Sequence, residues 1–194
     1  MLTAINGNNC MAQAQLCADS SHTALTKARL HQIATNQGLL LEEVPIAFQN
    51  FALATIRRSG NPIPENHAPF YSPEREDKTG GSLRNVVPNG VLPLIFQNFP
   101  FGSTETYVDS VFYEVKALSG GLLPLSYSRY QILGFLDALS RSDAVGAGKI
   151  PAIIFLTTAD IRQISSATVS QAVFKRVGVL HAIACGIPGS INNL

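Results

Sequence analysis

Hydrophobic and polar positions alternate most clearly in the middle of the chain, where residues 107–116 read YVDSVFYEVK. The segment is rich in β-branched and aromatic residues, which predicts a β-strand that is buried on at least one face. Because side chains point alternately to the two faces of a strand, Glu114 and Lys116 are predicted to share a face. Burying such a pair among apolar neighbours costs free energy unless it serves a purpose, and a solvated pair on an edge strand is the simpler interpretation.

Further apolar runs predict the elements that follow this strand. The continuous apolar run 150–157 predicts a central strand that is buried on both faces, and the pattern of residues 126–142 predicts an amphipathic helix before it. Residues 166–176 are predicted to form another helix, and residues 177–185 a final strand. His181 lies within that apolar strand and is interpreted as a hydrogen-bonded core histidine.

The first part of the chain is predicted to be mainly helical. Residues 10–18 are interpreted as a short helix, and residues 22–37 as a second one. Ser20 or Ser21 would cap the second helix, and Gly38 would end it, because hydroxyl side chains favour helix starts and glycine favours helix ends.

The stretch between these helices and the central strand alternates between apolar and loop-forming composition. Residues 39–51 are predicted to form a short strand or helix on the core, and residues 59–82, rich in proline and glycine, a long surface loop. Within that loop, the mixed-charge run 74–78 is interpreted as a solvated face. Residues 84–96 favour a strand, with a bend or bulge at residues 88–90, which read PNG.

The predicted order is helix, strand, strand, strand, helix, strand, with an additional helix near residue 170. This order indicates an α/β fold in which helices flank a mixed sheet. Residues 1–83 are interpreted as an N-terminal helical and loop segment that packs on a core formed by residues 84–194, within one compact domain. A chain of 194 residues with 46% hydrophobic residues is long and apolar enough to bury one substantial core.

Composition narrows the classes of function. The formal net charge of +1 gives no whole-protein attraction to nucleic acid, so a nucleic-acid enzyme would need a locally basic cleft. Three cysteines in a chain of this size do not indicate a disulfide framework. No apolar run is long enough to span a bilayer, and the N-terminus lacks the basic and apolar regions of a secretory signal peptide, so no membrane partner is predicted.

The Glu-x-Lys strand, set within this order of elements, resembles the PD-(D/E)xK restriction-endonuclease-like superfamily. More narrowly, the segments SVFYEVKA, SRYQILGFLDAL and PAIIFLTTAD look like the Tox-REase-type toxin domains of bacterial polymorphic toxins and type VI secretion effectors. The resemblance covers about residues 84–185. It implies a restriction-endonuclease-like mixed sheet with an α-β-β-β-α-β core.

The resemblance also implies a catalytic set. In that superfamily, carboxylates on two adjacent strands hold Mg²⁺, and the lysine positions or deprotonates the attacking water. Glu114 and Lys116 match the Glu-x-Lys motif, and Asn89, in VVPNG, matches the position of the aspartate. Gln131 matches a glutamine that related nucleases place near the metal or the water. The implied catalytic residues are therefore Asn89, Glu114, Lys116 and Gln131.

Asn89 departs from the superfamily pattern, because a neutral carboxamide cannot supply the expected carboxylate. One explanation is an Asp→Asn change that silences a toxin, and another is a domain that is naturally inactive and only binds. A third is that Asp109 is the second metal ligand, although it lies five residues from Glu114 and would face the other side of a regular strand unless a bulge intervenes. An acidic ligand from the first helix is also missing, and the candidates to replace it are Glu42, Glu43, Glu74 and Glu76.

The function implied by the resemblance is a Mg²⁺-dependent DNase, the toxin domain of a bacterial secreted effector. Its implied partners are DNA, a cognate immunity protein and a component of the secretion apparatus or a chaperone. It would be secreted into the cytoplasm of a target cell, and held in the producer cytoplasm with the immunity protein. Arg84 and Arg129 are candidate phosphate contacts. The alternative is a catalytically inactive protein-binding module of the same fold, which docks an immunity or carrier protein.

Overall fold

The computed structural model describes residues 2–3, 11–15, 23–55, 63, 65–75, 81, 83–91, 94–97, 105–108, 111–143 and 150–186. These residues form a mixed α/β structure. Its four helices are α1 (Lys27–Asn36), α2 (Val44–Thr55), α3 (Tyr127–Ser140) and α4 (Ser166–Phe174). Among the described residues, no helix is long and apolar enough to cross a membrane.

Six strands form the main sheet, and the others form two-stranded pairs. The strands of the main sheet are β1 (Leu2–Thr3), β2 (Met11–Gln15), β6 (Gly90–Val91), β9 (Val111–Lys116), β11 (Ala152–Thr157) and β13 (Gly178–Ile183). The paired strands are β3 (Thr23–Ala24) with β14 (Cys185–Gly186), β4 (Phe70–Tyr71) with β5 (Asn85–Val86), β7 (Leu94–Gln97) with β8 (Glu105–Val108), and β10 (Leu122–Leu123) with β12 (Gln163–Ile164).

The main sheet is mixed, with the strand order β1-β2-β13-β11-β9-β6. The four central strands β2, β13, β11 and β9 run parallel to one another, whereas β1 is antiparallel to β2 and β6 is antiparallel to β9. Helix α3 connects β9 to β11, and α4 connects β11 to β13. Two neighbouring parallel strands cannot be joined by a tight turn, so a longer crossover, usually a helix, connects them.

Alternate residues of the central strands enter two hydrophobic cores on opposite faces of the sheet. The first core contains residues of α1 and α2 and takes Tyr113 and Val115 from β9. The second core contains residues of α3 and α4 and takes Phe112 from β9. Glu114 and Lys116 alternate with Tyr113 and Val115, so they lie on the face that α3 and α4 cover. All six residues of β11 are buried, which confirms the prediction of a central strand.

The helices on the second face agree with the sequence pattern, and those near the N-terminus agree only in part. The helix predicted at residues 126–142 is α3, and that predicted at 166–176 is α4. The second N-terminal helix begins later than predicted, because Thr26 caps it: the Thr26 hydroxyl accepts a hydrogen bond from the Arg29 backbone N–H at 3.2 Å. Gly38 follows the end of α1 with φ 75°, as the predicted helix end requires.

The structure also decides three other expectations from the sequence. The helix predicted at residues 10–18 is wrong over Met11–Gln15, which form β2 and pair in parallel with β13. Residues 39–51, for which strand and helix were both open, lie largely in α2. The strand predicted at residues 84–96 is divided into β5, β6 and β7, with Asn89 directly before β6.

Candidate functional site

Glu114 and Lys116 form a buried ion pair at the carboxyl end of β9. Lys116 Nζ contacts Glu114 Oε1, and the side chains of the lysine and the glutamate are only 13% and 1% exposed. The prediction that the two residues share a face is therefore confirmed. A pair this far from solvent is not the solvated edge pair of the simpler interpretation, because β9 lies between β11 and β6.

Helix α3 supplies two further contacts to the Lys116 ammonium. Lys116 Nζ donates a hydrogen bond to Gln131 Oε1 at 3.3 Å. The same nitrogen lies 5.0 Å from the centroid of the Tyr127 ring, within the range of a cation–π interaction. The first turns of α3 thus hold the ammonium beside the carboxylate of Glu114.

The second carboxylate oxygen of Glu114 has no such support. Glu114 Oε2 is buried and accepts no hydrogen bond in the described part of the chain. Burial raises the pKa of Glu114, while Lys116, the backbone amide of Asn89 and the charge of Arg75 lower it. A buried oxygen without a partner is costly, and a donor or a cation placed against it would remove that cost.

Asn89 lies on the strand segment next to Glu114, but its side chain turns elsewhere. Gly90 pairs with Tyr113, so Asn89 comes next to Glu114 in the antiparallel register. Asn89 Oδ1 accepts a hydrogen bond from the Val115 backbone N–H at 2.7 Å. Asn89 Nδ2 donates to Gln49 Oε1 at 2.6 Å.

The Gln49 contact directs the Asn89 carboxamide toward the opposite face from Glu114. Gln49 belongs to α2, which packs in the first core, whereas Glu114 lies on the face of α3. Gln49 Nε2 in turn donates to Glu65 Oε1 at 2.9 Å, so the amide is one link in a chain of hydrogen bonds. The structure therefore brings Glu114, Lys116 and Gln131 together, and it holds the Asn89 side chain toward α2.

The start of α3 has unusual backbone geometry. Ser128, Arg129 and Tyr130 have φ values of 47°, 54° and 59°, which lie in the left-handed region. For residues with a Cβ atom this conformation costs about 1–2 kcal/mol each. The strained turn lies between Tyr127 and Gln131, the two residues of α3 that contact Lys116. Strain of this kind often accumulates where a fold positions functional side chains.

The other acidic candidates are distributed away from this cluster or lie outside the described residues. Asp109 and Glu76 fall in the latter group. Glu42 is exposed, and Glu43 Oε2 accepts a hydrogen bond from the backbone N–H at position 40, at 2.7 Å. Glu74 forms an ion pair of 3.7 Å with the lysine that follows α4. Glu43 and Glu74 therefore form their described contacts outside the cluster of Glu114, Lys116 and Gln131.

The two arginines predicted to contact phosphate are both exposed. Arg129 lies in the strained turn of α3, two residues before Gln131. Arg84 has φ 56°, and its carbonyl accepts a hydrogen bond from the Ser72 backbone N–H at 3.0 Å. Arg129 therefore lies within α3, and Arg84 lies directly before β5.

This cluster has one carboxylate oxygen that is free to act as a metal ligand. The described residues contain no group of three or more histidine, cysteine, aspartate and glutamate side chains that could hold a metal ion. Mg²⁺ usually keeps several waters and takes one or two carboxylates together with substrate phosphates. The unpartnered Glu114 Oε2 suits one such position, whereas Asn89 Oδ1 is already engaged by the Val115 N–H.

Sequence reasoning missed Gln49, which accepts a hydrogen bond from Asn89, and Arg75, whose charge lowers the pKa of Glu114. Gln49 and Asn50 form a polar pair within a mostly apolar helical stretch, and this was the one available signal. Arg75 lay within a mixed-charge run and carried no signal. Comparison of the chain with protein-family models, characterised proteins and solved structures finds no match. The PD-(D/E)xK resemblance therefore stays a prediction from the sequence.

Proposed function

We propose that this chain is a Mg²⁺-dependent nuclease that cleaves DNA, built on a restriction-endonuclease-like α-β-β-β-α-β core. The observation that carries the proposal is the state of Glu114, whose carboxylate is buried, paired with Lys116 through one oxygen and without a partner at the other. Solvated or purely structural ion pairs do not need an unpartnered oxygen, because such an oxygen lowers stability. The antiparallel pairing of β6 with β9, followed by α3 and the parallel strand β11, is consistent with this core.

Each residue of the cluster has a separate role in this proposal. Glu114 would hold the ion through Oε2, and the bound ion would polarise the phosphodiester and lower the pKa of a water molecule. Lys116 places a positive charge beside that carboxylate, where it orients the attacking water and stabilises negative charge that develops on the phosphate. Gln131 fixes the ammonium of Lys116 from α3 through its side-chain oxygen.

Residue 89 explains why this form of the chain should be a weak enzyme. Asn89 is neutral, and its carboxamide is engaged by Val115 and Gln49, so Glu114 is the one acid in the cluster. An aspartate at this position cannot donate the hydrogen bond to Gln49 Oε1. Asn89→Asp therefore removes one of the two bonds that hold the side chain toward α2, and it adds the second carboxylate that Mg²⁺ favours.

The biological setting of the proposal rests on the sequence resemblance. In that setting the chain is the toxin domain of a bacterial secreted effector, delivered into the cytoplasm of a target cell. A cognate immunity protein would hold it safe in the producer, and a secretion-apparatus or chaperone component would carry it.

The test compares cleavage of supercoiled plasmid in Mg²⁺ by four chains: the unchanged chain, Asn89→Asp, and Asn89→Asp combined with Glu114→Ala or with Lys116→Ala. We expect Asn89→Asp to cleave at least ~10-fold faster than the unchanged chain, in line with the effect of a restored ligand shell on metal sites. Both double variants, and the Asn89→Asp chain in EDTA, should be inactive. Equal activity in all four chains, or activity in none, would remove the proposal.

A second candidate function is a catalytically inactive module that docks an immunity or carrier protein. It is favoured by the hydrogen bonds of Asn89, which use both atoms of the carboxamide for structure. It is also favoured by an apolar patch before and within the first turn of α2, where Leu40, Leu41 and Ile46 are 59%, 68% and 62% exposed. Co-purification with the product of the adjacent reading frame, lost on Leu41→Glu, together with inactive Asn89→Asp, would favour this function over the nuclease.

A further inference from the structure

The segment that contains Glu65 and Asn66 lies alongside the segment that carries Asn89. Glu65 forms an isolated antiparallel bridge with Gly90, the residue that follows Asn89. The Asn66 backbone N–H donates a hydrogen bond to the Asn89 carbonyl at 2.9 Å. These backbone contacts hold Glu65 close to Asn89, where the Glu65 carboxylate meets Gln49 of α2.

A network of hydrogen bonds runs from the Glu65 carboxylate to the backbone of β9. Gln49 Nε2 donates to Glu65 Oε1 at 2.9 Å, and Asn89 Nδ2 donates to Gln49 Oε1 at 2.6 Å. Asn89 Oδ1 accepts from the Val115 backbone N–H at 2.7 Å. The side chain of Glu65 is 45% exposed and Val115 is 9% exposed, so the network connects the surface to a buried strand.

The direction of donation in this network is fixed at both ends by groups that have a single role. A backbone N–H can only donate, so the Asn89 carboxamide turns its oxygen to Val115 and its nitrogen to Gln49. An ionised carboxylate can only accept, so Glu65 draws the nitrogen of the Gln49 carboxamide to itself. The Gln49 oxygen is left facing residue 89, where it requires a donor. Asparagine has that donor, and an ionised aspartate lacks it.

We propose that Glu65 is a positioning residue that selects, through Gln49, which side chain at position 89 is held toward α2. The inference rests on the proposed nuclease function, in which position 89 supplies the second acid for the metal. Asparagine satisfies the Gln49 oxygen and stays on the side of α2. An aspartate would place a second acceptor against that oxygen, so it loses a hydrogen bond, meets repulsion, and is disfavoured on the side of α2. Glu65 thereby favours an aspartate that turns toward the metal.

Glu65→Gln should remove this selection. A glutamine at position 65 can accept or donate, so the Gln49 carboxamide can turn over and donate to an aspartate at position 89. Glu65→Gln also removes a negative charge, and this alone would reduce repulsion of a nearby aspartate. Gln49→Met separates the two effects, because methionine is also long and unbranched but cannot transmit the direction of donation.

The direct test is a double-mutant cycle of Asn89→Asp and Glu65→Gln, in which urea denaturation in EDTA gives the unfolding equilibrium constant of each chain. With Glu65 in place, we expect Asn89→Asp to raise this constant by ~10-fold or more, because a hydrogen bond is lost and two acceptors face each other. In the Glu65→Gln chain, the increase should be at least ~5-fold smaller. In the Gln49→Met background, Asn89→Asp should have the same effect with either residue at position 65.

Plasmid cleavage in Mg²⁺ tests whether this selection reaches the proposed active site. If Asn89→Asp cleaves the plasmid, adding Glu65→Gln should slow cleavage at least ~10-fold, as the loss of a residue that orients a metal ligand does. The same substitution is expected to stabilise the Asn89→Asp chain. A merely structural role for Glu65 would not make stability and activity change in opposite directions.

The outcomes separate this inference from the proposed function. If the coupling between positions 65 and 89 depends on Gln49 but no chain cleaves DNA, the selection by Glu65 stands and the nuclease proposal fails. If Asn89→Asp cleaves DNA but the coupling is absent, or persists in Gln49→Met, the inference is wrong and the nuclease proposal stands. Equal cleavage with and without Glu65→Gln would also overturn the inference, as would an Asn89→Asp chain that does not fold and that Glu65→Gln does not restore.

Discussion

Lys116 reaches Glu114 from two residues farther along the same strand, and the lysine rather than the glutamate keeps a small contact with solvent, 13% against 1% exposed. The ammonium also contacts Gln131 and the Tyr127 ring, so it has three partners, whereas the carboxylate has one oxygen without any. The buried charge of Glu114 therefore depends on Lys116 more than Lys116 depends on Glu114.

This asymmetry predicts the outcome of a double-mutant cycle. Lys116→Met leaves a buried carboxylate without its main cation, so we expect it to lower the free energy of unfolding at pH 7 by about 3 kcal/mol. Adding Glu114→Gln to Lys116→Met removes the unpaired charge and should return the free energy of unfolding to within about 1 kcal/mol of the unchanged chain. Urea denaturation measures both values. A double variant as unstable as Lys116→Met would contradict the prediction.

Asp137 is a second buried carboxylate, and we expect its removal to lower stability without changing the candidate site. Asp137 on α3 is 3% exposed and accepts hydrogen bonds from Arg141 and from Lys175, which follows α4, at 3.2–3.3 Å. Asp137→Ala removes a tie between α3 and α4 and leaves a mostly buried ammonium, so we expect a loss of about 3 kcal/mol in the free energy of unfolding. Asp143→Ala, at an exposed position, is the matched control and should change it by less than about 0.5 kcal/mol.

At Gly134, we expect alanine to lower the free energy of unfolding, although helix propensity alone would favour alanine. Alanine is the better helix former by about 1 kcal/mol, but a Cβ at this position would lie 2.6 Å from Val86 Cγ1, closer than atoms pack. We expect Gly134→Ala to lower the free energy of unfolding by about 1–3 kcal/mol, the usual cost of overpacking. Gly121→Ala, where a Cβ would meet nothing within 4 Å, should have no such effect. Thermal unfolding of the two variants gives the comparison, and equal melting temperatures would show that α3 is not in close contact with β5.

His181 predicts a loss of stability in acid. Its Nε2 lies 2.7 Å from Thr157 Oγ1, and because that hydroxyl donates to the Thr158 carbonyl, Nε2 is the donor in this pair. Burial lowers the pKa of His181 from 6.5 to about 4, so between these values the unfolded chain binds a proton that the folded chain does not. The folded state should therefore lose up to about 3 kcal/mol as the pH falls from 6.5 to 4.

The control for this prediction is His181→Gln, which cannot titrate. Its free energy of unfolding should fall less steeply between pH 6.5 and pH 4 than that of the unchanged chain, measured by urea denaturation at each pH. Carboxyl groups titrate in the same range in both chains, so the difference between the two slopes isolates the histidine. Parallel slopes would mean that His181 is protonated equally in the folded and unfolded states.

The elements of the second face could be predicted because their sequence patterns are local. The apolar run of β11 and the amphipathic pattern of α3 each contain enough information to identify the element. Strand β2 could not be predicted in this way, since its sequence MAQAQ is composed of good helix formers. Its conformation comes from pairing with β13, more than 160 residues away, and tertiary pairing overrides weak local propensity.

In the candidate site too, the sequence predicts what depends on local pattern and does not predict what depends on distant residues. Strand alternation alone predicts that Glu114 and Lys116 share a face, and they do. The hydrogen bond between Lys116 and Gln131 was not predicted, since the family resemblance implied only that Gln131 lies near the metal or the water. The direction of the Asn89 side chain depends on Gln49, which lies 40 residues earlier on a helix whose position no local pattern defines.

The parallel pairing of β2 with β13 has a consequence for protein synthesis. Residues 11–15 pair with residues 179–183, which the ribosome makes more than 160 residues later. Until those partners emerge, β2 has no neighbour on that side, and its backbone donors and acceptors stay exposed to other chains. Completion of this part of the sheet therefore waits for the synthesis of more than 160 further residues, and chaperones that bind nascent chains have that period in which to act on residues 11–15.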